Sequence, residues 1–90
     1  MVDQNKERRI GFIGIIIYEP EISYLKLNEI LHEYSSIIVG RLGLPYRERN
    51  LSIISLIVDG SNDEIGAMTG RIGQIPEITI KTGFAKLLPD

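Results

Sequence analysis

The sequence predicts a single α+β domain of the ferredoxin-like type, with a four-stranded antiparallel sheet and two helices on one face. First, the chain has 90 residues, which is enough for one domain with one modest core. Second, its apolar and turn-forming residues divide into segments in the order β-α-β-β-α-β, the split βαβ arrangement. Third, the first and third strands are apolar at both odd and even positions, as central strands are. Right-handed crossovers place these same two strands in the middle of the sheet.

The first strand and the first helix occupy the start of the chain. Residues 1–8 are polar and are expected to be disordered. Arg9–Tyr18 is rich in β-branched residues and is predicted to form the first strand. Pro20 suits the first turn of a helix, where its missing N–H costs nothing. Apolar residues then recur at helical spacing, which predicts a helix that ends between Tyr34 and Ser36.

The middle of the chain is predicted to form a hairpin whose two strands are joined by a long loop. Ser36–Leu42 is the second strand, and Leu51–Asp59, apolar at both parities, is the third. Glycine and proline within Gly40–Pro45 are expected to end the second strand, so that a loop leads to Asn50.

The last helix and strand have clear boundary signals. Ser61 and Glu64 have the spacing of a capping box, which predicts the start of the second helix. Gly73, close to Pro76, is expected to end it. Glu77–Phe84 alternates apolar and polar residues, which predicts a half-covered edge strand. The residues expected to be buried on the second helix are Ile65, Met68 and Ile72.

Composition excludes several classes of function. Ten basic and twelve acidic residues leave a net charge of −2, so direct binding to nucleic acid is not expected. The chain has no cysteine, which excludes disulfides, thiolate nucleophiles and zinc–thiolate sites. No apolar run approaches the roughly 18 residues of a membrane span, and the N-terminus is polar. We therefore expect a cytoplasmic protein that does not contact membranes.

The sequence offers no constellation for catalysis or metal binding. His32 is the only histidine, and it lies on the polar side of the predicted first helix. No cysteine or second histidine exists to complete a metal site. The serines lack a His–Asp partnership that would activate a nucleophile. We expect no enzyme activity, no metal and no cofactor.

The two doubly apolar strands predict self-association. Two helices cover only one face of a four-stranded sheet, so large aliphatic side chains remain on the other face and would be costly to leave in water. We expect a second copy of the chain to cover them, as a dimer or a tetramer. The alternative is that the C-terminal segment Phe84–Leu88 folds over them. The interface candidates are Phe12, Ile16 and Tyr18 on the first strand, Ile54 and Leu56 on the third, and Gly66 and Gly70 on the second helix.

The glycines of the second helix are unusual for a helix interior. Gly66, Gly70 and Gly73 follow one another at i, i+4 and i+7 along one flank. Each costs roughly 0.8–1 kcal/mol relative to alanine. Two interpretations are open: a neighbouring chain or ligand approaches this flank closely, or the helix packs closely on its own sheet or on the first helix.

The segment Gly40–Arg47 is the best candidate for binding a small anionic or amino-acid effector. It holds two arginines in a frame that glycine and proline restrict. Guanidinium groups and exposed backbone amides suit a carboxylate or a phosphate. The alternative is a solvated hairpin connection without a ligand. The candidate effector-binding residues are Arg41, Gly43, Pro45, Arg47 and Asn50.

Three groups of motifs resemble those of the iron-only hydrogenase system regulators. They are Asn28–His32, then Arg41–Glu48 with Asn50, and finally Asn62–Asp63 with Ile65–Ile75, within residues 9–83. The resemblance implies an ACT-like domain, akin to the C-terminal domain of nickel-responsive repressors, that binds small effectors at subunit interfaces. It also implies a role in transcriptional regulation of an iron-only hydrogenase system. One histidine and no cysteine do not match the nickel ligands of those repressors, so no nickel site is expected.

The leading hypothesis is therefore a non-enzymatic, homo-oligomeric regulatory module that binds an effector between subunits. The alternative is a structural or protein-interaction module without a small ligand.

Overall fold

The computed structural model describes residues 8–18 and 20–86, with side chains for all of these except 20–22. The strands form one antiparallel sheet in the order β2-β3-β1-β4, so the predicted ferredoxin-like α+β fold is confirmed. The elements are β1 (Arg9–Ile17), α1 (Pro20–Glu33), β2 (Ile38–Tyr46), β3 (Leu51–Gly60), α2 (Asn62–Gly73) and β4 (Ile78–Phe84). Two 3-10 turns, Ser35–Ile37 and Arg47–Arg49, lie at the two ends of β2. Within the described residues, neither helix is long and apolar enough to span a membrane.

The core lies between the helices and one face of β1 and β3. The odd-numbered residues of β1 and the even-numbered residues of β3 point to the helices. Those at most 1% exposed are Ile13, Ile15, Ile17, Ile54, Leu56 and Val58. The helices contribute Leu27, Ile30, Leu31, Ile65, Met68 and Ile72 to the same cluster. The buried stripe predicted for α2 is therefore confirmed.

The predicted capping box fixes the start of α2. The Glu64 backbone N–H donates to Ser61 Oγ at 3.0 Å, and the Ser61 N–H donates back to Glu64 Oε1 at 2.9 Å. These two bonds satisfy donors that a helix start leaves without partners.

The loop predicted before Asn50 is instead part of a strand. β2 runs through Gly40–Pro45 to Tyr46 and pairs with β3 along this length, and the break expected at Gly40 is a bulge after Ile38. Because β2 is an edge strand, glycine and the missing N–H of a proline are tolerated there. The local signals for a loop were overridden by pairing with a central strand.

Residues near both ends of the described chain are fixed to the domain. Arg8, predicted to be disordered, donates from Nη2 to the Asp59 carbonyl at 2.8 Å, and its Nε lies 3.3 Å from Asp59 Oδ1. Phe84 lies opposite Gly11 on the helix side of the sheet, with the Arg9 guanidinium 4.1 Å from its ring centroid. Phe84 therefore does not cover the other face. Residues 1–7 and 87–90, on which the remaining terminal predictions fall, lie outside the described residues.

Candidate functional site

The face of the sheet that points away from the helices, here named the open face, is rich in exposed apolar side chains. Leu42, Phe12 and Leu44 are 66, 51 and 53% exposed. Tyr18 also lies here, and its hydroxyl accepts a hydrogen bond from Thr79 Oγ1 at 3.4 Å. The apolar and aromatic residues of the open face are Phe12, Ile16, Tyr18, Leu42, Leu44, Tyr46, Leu51, Ile53 and Ile57.

Cross-strand pairing arranges the centre of the open face as two apolar ridges with a groove between them. The ridges are Phe12 opposite Ile57 and Ile16 opposite Ile53. In the groove, Gly14 lies opposite Ser55. A Cβ at Gly14 would have no described atom within 4 Å. A glycine inside a central strand is unfavourable for folding and often marks close approach by another molecule.

The structure places the five interface residues predicted on the first and third strands on two different faces of the sheet. Phe12, Ile16 and Tyr18 lie on the open face. Ile54 and Leu56 lie on the helix side and are each 1% exposed, so their placement at an interface is wrong. β3 is apolar at both parities, and its sequence alone does not determine which set meets the helices. Their neighbours Ile53 and Ile57 occupy the open face instead.

One interpretation of the α2 glycines was that the helix packs closely on its own sheet or on α1, and the contacts of the described residues do not support it for Gly66 and Gly70. A Cβ at Gly66 or Gly70 would have no described atom within 4 Å. At Gly73 it would lie 3.9 Å from Ile80 Cγ2, which is ordinary contact. Close packing against the described residues therefore does not account for Gly66 and Gly70. Approach of another chain or ligand to this flank stays a prediction.

A second candidate site lies where α1 meets β2. Arg41 follows the helix-side parity of β2, since it pairs with the buried Leu56, and its Nη2 donates to Asn28 Oδ1 at 2.9 Å. The cavity beside it, named the Arg41 cavity, has a volume of about 400 Å³. Its lining residues are Asn28, Leu31, His32, Ser35, Ile38 and Arg41.

The chemistry of the Arg41 cavity suits an anion. Among the described residues, no carboxylate lies within ion-pair distance of Arg41. Asn28 holds one nitrogen of the guanidinium, which leaves further N–H donors for a carboxylate or a phosphate. In the described part of the chain, no three histidine, aspartate or glutamate side chains are grouped as metal ligands.

The other predicted effector residues do not join Arg41 in one site. Gly43 and Pro45 are exposed and follow Arg41 at alternate positions of the strand. Arg47 and Asn50 form the connection to β3, where Asn50 adopts a left-handed conformation with φ 55° and its N–H donates to the Arg47 carbonyl. Since six strand residues span about 20 Å, this turn lies far from Arg41. Prediction of a single loop site is therefore wrong.

Sequence reasoning did not assign Asn28 and His32 to the effector site. They are four residues apart on α1, a spacing that places two side chains on the same side of a helix. Both belong to the first resemblance motif, and Arg41 begins the second. Their presence in motifs of the same family was the only sign in the sequence that these residues act together. The contact between α1 and β2 that joins them could be recognised only once the fold was known.

The chain matches the model of the TM1266-like family, described as "Iron-only hydrogenase system regulator, putative", over residues 9–82. It is 40% identical to the uncharacterized protein TM1266 from Thermotoga maritima, with a TM-score of 0.86 and coverage of 89% of this chain and 100% of that one. An unknown protein from Galdieria sulphuraria shares the fold at 10% identity, with a TM-score of 0.66 and coverage of 92% and 48%. A formyltetrahydrofolate deformylase from Pseudomonas putida does so at 8% identity, with a TM-score of 0.59 and coverage of 82% and 28%.

No curated protein matches the chain. The family match begins at the first residue of β1 and continues into β4, and the likeness to TM1266 extends over that protein's whole length. The chain belongs to the TM1266-like family of iron-only hydrogenase system regulators.

Proposed function

We propose that the chain is a non-enzymatic regulatory module of an iron-only hydrogenase system, which assembles through its open face and binds a small anionic effector in the Arg41 cavity. The observation that carries this proposal is the arrangement of β2. Arg41 points to the helix side, while Leu42, the next residue, is 66% exposed on the open face. One strand therefore supplies both the effector site and the assembly surface, so an effector that shifts β2 alters both.

The apolar area of the open face approaches the area that each partner of a stable homodimer buries. Phe12, Tyr18 and Tyr46 are exposed by 51, 43 and 39%. With aromatic side chains at about 150–250 Å² each, these residues and the exposed leucines and isoleucine present roughly 600 Å². A standard interface buries about 800 Å² on each partner, so the patch supplies most of the required area. It also lies at the upper limit of the apolar patches that monomers expose, about 300–600 Å².

A second copy of the chain fits this surface by shape. Residues two apart along a strand are separated by about 7 Å, so each ridge lies next to the groove at Gly14 and Ser55. Stacked sheets interdigitate their inner side chains at a separation of about 10 Å. Under twofold symmetry, when a ridge of one copy enters the groove of the other, the equivalent ridge of the second copy enters the groove of the first.

The absence of cysteine from the sequence allows a direct test of this assembly. Lys81→Cys places one thiol at the edge of the open face, on β4 opposite Gly14, and Ala67→Cys places one on the exposed side of α2. A long, flexible bis-maleimide is expected to link Lys81→Cys into covalent dimers at low micromolar protein and to leave Ala67→Cys monomeric. Linking only through Ala67→Cys would instead assign the interface to the helix side and contradict the proposal.

The effector is tested by a thermal-shift screen of amino acids, nucleotides, small carboxylates and inorganic phosphate. At least one anionic compound is expected to raise the melting temperature of the wild type but not that of Arg41→Ala. Arg49→Ala, which removes an exposed arginine of the turn after β2, is the matched control and is expected to respond as the wild type does. If no compound raises the melting temperature, or if the rise persists in Arg41→Ala, the chain is an interaction module without a small ligand at this cavity.

A further inference from the structure

A cavity of about 390 Å³ lies between α1 and the turn that follows α2. Its inner wall includes Ile30 and Ile75, which are 2 and 6% exposed, together with Pro76. Lys26 and Arg71, both exposed, supply two positive charges to its lining. Among the residues that the structure describes, none that lines the cavity is acidic, although the whole chain carries a net charge of −2. The cavity, named the interhelix cleft, therefore combines an apolar wall with the ammonium group of Lys26 and with the guanidinium of Arg71, whose charge is partly offset by Glu33.

The turn that forms one wall of the interhelix cleft is held in a strained conformation. Glu77, directly after Pro76, has φ 61°, in the left-handed region that a glutamate rarely adopts. Its carbonyl accepts a hydrogen bond from the Tyr18 N–H at 2.9 Å. The Pro76 carbonyl accepts one from Ser23 Oγ at 3.0 Å. These bonds tie the turn to β1 and to α1, so the cleft is formed before any ligand arrives.

The two cations of the cleft differ in how they are held. Arg71 Nη1 lies 2.9 Å from Glu33 Oε1, and its guanidinium carbon lies 5.8 Å from the centroid of the Tyr34 ring. The interaction with Glu33, followed by that with Tyr34, raises the pKa of Arg71 further above its usual value. The guanidinium is thereby oriented, and it retains N–H donors that Glu33 does not use. Lys26 has no carboxylate within ion-pair distance among the described residues.

We propose that the interhelix cleft binds a small monocarboxylate with a compact apolar body. The carboxylate lies between the Lys26 ammonium and the Arg71 guanidinium, and the apolar body packs on Ile30, Ile75 and Pro76. Pockets of this size hold small ligands when a few placed polar groups accompany apolar walls. This site is separate from the Arg41 cavity, with which it shares no described lining residue.

Isovalerate and its neutral analogue isovaleramide test the proposal in a titration followed by 15N–1H NMR. Isovalerate is expected to shift the backbone amide signals of residues 23–30 and 71–75 saturably at millimolar concentration, whereas isovaleramide is expected to bind at least tenfold more weakly. Lys26→Met is expected to weaken isovalerate binding at least tenfold. Lys86→Met, which replaces an exposed lysine after β4, is the matched control and is expected to leave it unchanged. Arg41→Ala is expected to leave it unchanged as well, which separates this site from the proposed effector site.

Three results would overturn the proposal. They are the absence of saturable shifts with isovalerate, equal binding of the acid and the amide, and unchanged affinity in Lys26→Met. Because Lys26→Met breaks no ion pair with a described residue, a loss of folding is not expected to obscure the result. The dispersion of the NMR signals of each variant checks this directly.

Discussion

Gly14 and Ser55 lie opposite each other on β1 and β3 and form the floor of a groove between two apolar ridges. The space above Gly14 is unoccupied by described atoms to at least 4 Å from the position of a Cβ. Packing against the described residues of its own chain therefore does not explain this glycine. In a homodimer, it is the place into which a ridge of the partner fits.

Gly14→Val is expected to separate assembly from folding. The added side chain meets no described atom of its own chain, and valine suits a strand, so the free energy of unfolding of the monomer should rise or stay within about 0.5 kcal/mol. The same side chain fills the groove and is expected to raise the dimer dissociation constant at least tenfold. Urea unfolding and light scattering over a dilution series measure the two effects. Undiminished assembly of Gly14→Val would show that the groove is not at the interface.

Ile53 and Ile54 test which parity of β3 faces the helices. Ile54 is 1% exposed in the core, so Ile54→Ala is expected to lower the free energy of unfolding by about 2–5 kcal/mol. Ile53 is half-buried on the open face, and Ile53→Ala is expected to lower it by less than about 1.5 kcal/mol at a protein concentration where the chain is monomeric. Urea unfolding gives both values. A larger loss for Ile53→Ala would reverse the assignment of the two faces.

Arg41→Ala is expected to affect binding without affecting folding. Arg41 is exposed and has one hydrogen bond to a side chain, so its removal should change the free energy of unfolding by no more than about 0.5 kcal/mol. A charge-assisted contact contributes about 1.5–3 kcal/mol, which corresponds to roughly 10- to 150-fold weaker effector binding. Calorimetry with the anion found in the thermal-shift screen measures the change. Unfolding of Arg41→Ala would instead make this arginine a structural residue.

The ion pair of Glu33 and Arg71 predicts a pH dependence of stability. The hydrogen bond from Arg71 lowers the pKa of Glu33 from its usual 4.5. A carboxyl group whose pKa is lower in the folded state stabilises the protein above its unfolded pKa, and the stabilisation is lost as the pH falls through the folded pKa. The melting temperature of the wild type is therefore expected to exceed that of Glu33→Gln slightly at pH 7 and to approach it below pH 4.5.

Glu29→Gln is the matched control for the pH series. It removes a carboxylate of the same helix that has no ion pair with a described residue. A difference between wild type and Glu33→Gln that stays constant from pH 7 to pH 3 would contradict the assigned ion pair.

The order of the strands could be predicted from the sequence, but not which alternate residues of β3 face the helices. Both Ile53 and Ile54 suit a buried strand position, and only the placement of the helices decides which of them enters the core. The length of β2 could not be predicted from the local sequence either. Gly40 and Pro45 favour a loop, and only the pairing with β3 shows that they belong to a strand. Contacts between distant segments, such as Arg41 with Asn28, depend on the register of that pairing.

Sedimentation velocity at micromolar concentration shows whether the chain assembles through its open face. The wild type is expected to sediment as a dimer or larger species of the 10.1 kDa chain. Phe12→Lys is expected to sediment as a monomer, because it places a charge in one ridge of the open face. Leu25→Lys is the matched control: Leu25 is 80% exposed on α1, away from the open face, and its variant is expected to assemble as the wild type does. A 10.1 kDa wild-type monomer, or a Phe12→Lys variant that assembles undiminished, would contradict assembly through the open face.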